Sequence, residues 1–142
     1  MRLQARRLAR FRDLPRGEQR LLAAAAAMLA LARVGLRVVG VPRTRRMVRR
    51  LSPGSPLEPV RVAELVRMAC EALPGATLCL PRAIVLEALL AEADHPAELR
   101  IGIASLGETG GRTAHAWVEL RGVAVAEDPS RYTALPVFGA RV

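Results

Sequence analysis

Residues 113–128, Thr113-Ala114-His115-Ala116-Trp117-Val118-Glu119-Leu120-Arg121-Gly122-Val123-Ala124-Val125-Ala126-Glu127-Asp128, decide the reading of the fold. Thr113 to Leu120 has β-like patterning, Arg121-Gly122 is a two-residue turn, and Val123 to Glu127 is a returning strand. Facing residues of such a hairpin share one side of the sheet, and this turn sets Asp128 directly opposite His115. Glu127 then points to the other face unless a longer loop slips the register. Trp117 and Glu119 share the face of His115, where Trp117 is either a shield over the site or a core aromatic.

Working outward, Leu99 to Leu106 is a further strand before the loop marked by Gly107, Gly110 and Gly111. Everything upstream reads as helix. Residues 2–12 are Arg-rich and end before Asp13-Leu14-Pro15. Gly17 to Val39 is rich in Ala and Leu, with Gly40 and Pro42 as its stop, and should be the longest helix. Its uncharged run, Leu21 to Ala32, falls short of the roughly 20 apolar residues of a membrane span. A basic segment, Thr44 to Leu51, precedes Ser52-Pro53-Gly54-Ser55-Pro56, the most linker-like composition in the chain. Val62, Leu65, Val66, Ala69, Cys70 and Leu73 recur at helical spacing, and Cys79 to Ala93 forms the next helix, with Pro81 in its first turn. Helices first and antiparallel strands last predict an α+β fold in which a helix carrying Cys79 packs on a small sheet, preceded by N-terminal helices. The boundary at the linker gives an Arg-rich helical region, residues 1–55, packed on or docking a core, residues 56–142.

Composition narrows the function. With 51% hydrophobic but 3% aromatic residues in 142, the core is aliphatic and base stacking is poorly supplied. The net charge of +9 is uneven: residues 1–50 hold 14 Arg against Asp13 and Glu18, and the remainder holds 8 Arg against 11 acids. The N-terminal part therefore meets something acidic, with nucleic acid, anionic lipid and an acidic protein all open on charge alone. The absence of Lys and Asn looks like the coding bias of a GC-rich genome. Two cysteines and no secretory signal at the N-terminus fit free thiols and a cytoplasmic location.

Cys79 opens a helix, where unpaired N–H groups and the helix dipole lower a thiol pKa, whereas Cys70 lies in an apolar stripe that raises it. Two histidines are available as base, His95 in a loop beside Pro96 and His115 within a strand, and the strand positions a catalytic group more rigidly. A carboxylate facing His115 holds one ring nitrogen while the other accepts the thiol proton, which yields a candidate triad of Cys79, His115 and Asp128. Taken singly, the three are equally a buried thiol, a sheet histidine and an Asp-Pro turn residue.

Cys79-Leu80-Pro81-Arg82-Ala83, followed by Ala114-His115-Ala116-Trp117-Val118-Glu119 and then Gly122 and Asp128, resembles the transglutaminase-like cysteine proteases of lasso-peptide maturation, in their stand-alone leader-peptidase form. The resemblance covers about residues 60–128. It implies a transglutaminase-like or papain-like core, with Cys79, His115 and Asp128 as the triad. The carboxylate of many relatives falls one residue earlier, at the position of Glu127. The implied activity is removal of the leader from a ribosomally made precursor peptide, with neither metal nor organic cofactor. The implied partners are the precursor, a separate leader-recognition protein and the macrolactam-forming cyclase.

Two other classes compete. A transamidase would capture the same thioester with an amine. An Arg-rich docking protein without catalysis would use residues 1–50 on a partner or an anionic membrane surface. Nucleic acid is set aside as a partner, because no zinc-ligand spacing, aromatic platform or helix-turn-helix signature is present.

Overall fold

A computed structural model describes residues 2–74, 79–91, 97–105 and 110–136, with side chains from Ala5 onward. Five helices precede a four-stranded sheet: α1 (Arg2–Arg12), α2 (Arg16–Val38), α3 (Gly40–Leu51), α4 (Pro59–Ala72), α5 (Cys79–Leu90), β1 (Ala97–Ser105), β2 (Arg112–Leu120), β3 (Val123–Ala124) and β4 (Thr133–Ala134). The α+β architecture is the one expected.

Local chemistry sets the helix limits. Pro15 stands just before α2, and Gln19 Nε2 donates to the Leu14 and Arg12 carbonyls at 2.8 and 3.3 Å, satisfying acceptors left over at the end of α1. At 23 residues α2 is the longest helix. Gly40 ends it by taking φ +77°, but Pro42 does not stop the chain. It sits in the first turn of α3, where a missing N–H costs nothing, so the basic segment after it is helical. Gly35 lets α2 and α3 touch: an added Cβ there would lie 2.7 Å from Thr44 Oγ1.

The innermost helix is α5, with every residue from Ala83 to Leu90 buried. It packs on α2, α3, α4, β1 and β2. The core joins Leu21, Ala25, Met28, Leu29 and Ala32 of α2 to Val62, Leu65, Val66 and Ala69 of α4, and passes through α5 to Leu99, Ala116 and Val118 of the sheet. It runs unbroken across the Pro/Gly/Ser segment, so the elements on either side of residues 52–56 share one interior. By length and composition α2 is apolar enough to cross a membrane, yet here its buried side is a wall of this core. Glu87, almost fully buried, accepts two guanidinium bonds from Arg45, at 2.5 and 3.0 Å, and ties α3 to α5.

The sheet order is β3-β2-β1-β4, every pair antiparallel. Arg121 (φ +52°) and Gly122 (φ +78°) form the expected two-residue turn, with Leu120 opposite Val123 and Glu119 opposite Ala124. Strand alternation gives Leu99, Ala116 and Val118 to the helices. His115, Trp117 and Glu119 line the other face with their partners Gly102, Arg100 and Glu98. The edge strand β4 was not foreseen from the sequence.

Candidate active site

Cys79, half-buried, is the first residue of α5, and the backbone N–H groups of that first turn point out of the helix end. Three residues on, and so on the same side of the helix, Arg82 places a guanidinium nitrogen 3.8 Å from Glu127 Oε1. The other carboxylate oxygen, Oε2, is 2.5 Å from His115 Nε2. One acidic side chain thus joins the thiol-bearing end of α5 to the histidine of β2. No hydrogen bond links Cys79 to His115 in this structure. With Nε2 engaged by Glu127, Nδ1 is the ring nitrogen left to take a thiol proton.

The carboxylate on His115 is Glu127, and the expected pairing with Asp128 is not made. The hairpin register holds as far as Val125, whose N–H donates to the Val118 carbonyl at 2.9 Å. Ala126 then adopts φ +57°, which breaks the alternation of an extended strand and brings Glu127 round to the face of His115. Asp128 is exposed and accepts the Ser130 N–H at 3.0 Å, an Asx turn whose hydrogen bonds hold its carboxyl below the ordinary range. The alternative histidine, His95, lies outside the described residues.

Aromatic rings close the site. Tyr132 lies 4.9 Å from the His115 ring centroid and 6.2 Å from that of Trp117, and Trp117 is 6.1 Å from His115. Trp117 is buried, and its Nε1 donates to Glu119 Oε1 at 3.0 Å, while Arg100 Nε holds Glu119 Oε2 at 3.0 Å. These bonds leave the indole one orientation, against His115. Gly102, opposite His115, makes room: a Cβ would lie 2.7 Å from the Trp117 ring and 2.8 Å from Tyr132 Cβ.

Cys70 has the environment of a core thiol, with burial pushing its pKa up. A cleft of about 440 Å³ between α4 and the 125–127 turn ends at Arg82 and Glu127. An apolar groove of similar volume between the start of α2 and residues 53–57 contains neither cysteine nor histidine. Among the described residues no group of three His, Cys, Asp or Glu side chains is placed to hold a metal ion. Neither Arg82 nor Tyr132 is marked for a role by the sequence alone; the spacing of Arg82 from Cys79 is the one available signal, and Tyr132 offers none.

A helix-borne cysteine and a strand-borne histidine with a carboxylate partner, on an α+β frame, are the parts of a thiol-dependent acyl-transfer site. A family model described as the Transglutaminase-like superfamily matches residues 1–138, and the chain belongs to that superfamily. Its members are typically cysteine peptidases or acyltransferases. The match takes in the N-terminal helices as well as the site. Comparison with curated proteins and with solved structures finds no match.

Proposed function

We propose that the protein is a cysteine peptidase that removes the leader from a lasso-peptide precursor, with Cys79 as nucleophile, His115 as base and Glu127 as the group that orients His115. The observation that carries this reading is the 2.5 Å contact of His115 Nε2 with Glu127 Oε2, bridged by Arg82 to the first turn of the Cys79 helix. A carboxylate on one nitrogen fixes the tautomer and ring plane, and stabilises the imidazolium formed when the other nitrogen takes the thiol proton.

In the reaction the Cys79 thiolate attacks the peptide carbonyl, and the oxyanion is held by N–H groups of the first turn of α5. His115 then gives its proton to the leaving amine, and a thioester remains. Water, deprotonated by His115, hydrolyses it and restores the thiol. Trp117, stacked with His115, and the tilted ring of Tyr132 keep bulk water from one side of the imidazole. The cleft ending at Arg82 and Glu127 accommodates the peptide on one side of the scissile bond.

The substrate class is inferred from the resemblance of Cys79-Leu80-Pro81-Arg82-Ala83 and His115-Ala116-Trp117-Val118-Glu119 to leader peptidases. A separate recognition protein presents the precursor, and a cyclase closes the released core. Incubating wild type and Cys79→Ala with the precursor and recognition protein, followed by mass spectrometry, tests the proposal. Leader and core fragments whose masses sum to the precursor plus one water, formed only by wild type, are expected. A product joined to an amine would instead identify a transamidase, and cleavage by both proteins would remove Cys79 as nucleophile.

A further inference from the structure

The helix α3 carries five arginines and no acid. Its inner side is occupied: Thr44 and Val48 are fully buried, and Arg45 is bound to Glu87. Its outer side presents Arg43, Arg46, Arg49 and Arg50, all exposed, and none of these four forms an ion pair among the described residues. Arg43, Arg46 and Arg50 follow one another at helical spacing, and Met47 and Leu51 make an apolar ridge beside them. Leu51 is 65% exposed, and Val38, where α2 meets α3, is 74% exposed next to exposed Arg37.

The pattern recurs independently in α1, which has no extensive packing against any other described element. Arg6, Arg7, Arg10 and Arg12 are exposed there around Leu8, again with no acid in the helix.

A purely polyanionic partner would satisfy the guanidinium groups and leave Val38, Met47 and Leu51 in water. Binding of nucleic-acid bases also uses exposed aromatic rings, and the single aromatic residue of α1 to α3, Phe11, is half-buried. Anionic headgroups above acyl chains meet both the charged and the apolar half of this surface, with no matched shape required. We infer that the outer face of α3, with α1 as a second contact, docks the protein on the surface of an anionic lipid bilayer. The charge division turns the same half toward such a surface, since residues 1–50 carry 14 Arg against 2 acids while the remainder carries 8 Arg against 11 acids.

Flotation of the full chain with phosphatidylcholine vesicles, with and without about one third phosphatidylglycerol, tests this. Binding is expected to the anionic vesicles alone and to weaken as salt rises. The triple variant Arg43→Gln, Arg46→Gln, Arg50→Gln should lose roughly a hundredfold in affinity, at about fivefold per arginine, with an unchanged melting curve. The double variant Met47→Ser, Leu51→Ser should also float poorly while its retention on a heparin column stays that of wild type. No flotation with anionic vesicles, or equal flotation with neutral ones, overturns the inference. So does undiminished flotation of the Met47→Ser, Leu51→Ser variant, which would mark a surface for a soluble polyanion.

Discussion

At the scale of single residues, the site turns on one backbone angle. Ala126 at φ +57° costs about 1 kcal/mol relative to an extended alanine, and that turn delivers Glu127 rather than Asp128 to His115. Nothing in the sequence marks Ala126 for the left-handed region, where Gly, Asn and Asp are the usual occupants. This is why strand register alone points to Asp128, whereas the carboxylate in contact with His115 is Glu127. The two acids should separate cleanly in kinetics. Glu127→Gln is expected to lower kcat by about 10²–10⁴-fold, because the tautomer and the imidazolium lose their support. Asp128→Asn keeps its turn acceptor and should stay within about twofold of wild type. Steady-state cleavage of the precursor by the two variants reads the difference. A second check lies at Gly102, where a methyl group would meet the Trp117 ring at 2.7 Å. Gly102→Ala should displace the Trp117–Tyr132 pair, blue- or red-shift the fluorescence of the single tryptophan, and reduce kcat with it.

At the scale of elements, helices were easier to read than strands. The stripe Val62, Leu65, Val66 and Ala69 of α4 buries the side that its periodicity marks, and the Ala/Leu-rich run of α2 forms the longest helix. The hairpin was legible from Arg121-Gly122, because both residues must take positive φ and glycine at the second position allows it. The two-residue strand β4 was not legible: Thr133 and Ala134 are both exposed and too few for any period to emerge. Pro42 read as a stop because proline ends helices more often than a following helix begins immediately at it. The crossing of α2 and α3 is also invisible in sequence, since it depends on Gly35 meeting the fully buried Thr44, whose Oγ1 is already held at 2.7 Å by the Gly40 carbonyl. Gly35→Ala should gain about 1 kcal/mol of helix propensity yet lose more to overpacking, for a net cost of about 1–2 kcal/mol. Urea unfolding of Gly35→Ala, Thr44→Ala and the double variant measures it, and the double variant should recover part of the loss.

At the scale of the molecule, the linker-like composition of residues 52–56 marks a surface connection rather than the edge of an independent unit, because α2 contributes as much to the interior as α4 does. Glu18 at the start of α2 binds Arg61 of α4 through two hydrogen bonds, at 2.6 and 3.0 Å, and joins the two segments from outside that core. Hydrogen bonding from Arg61 holds the Glu18 carboxyl below its ordinary value. The unfolded chain therefore binds this proton at a higher pH than the folded one. The stabilisation is complete above the unfolded carboxylate value of about 4.3 and disappears as pH falls through the lowered folded value. Thermal melts of Glu18→Gln should lie below wild type near neutral pH, with the gap closing in acid.

The proposed chemistry requires one reactive thiol, and iodoacetamide labelling followed by peptide mapping tests that without any substrate. Cys79 should be modified faster than Cys70, which is equally half-buried but whose thiol pKa is pushed up by desolvation, and His115→Ala should slow Cys79 toward the rate of an ordinary thiol while leaving Cys70 unchanged. Equal labelling of both cysteines, or a Cys79 rate indifferent to His115, would contradict a thiol and imidazole that act together.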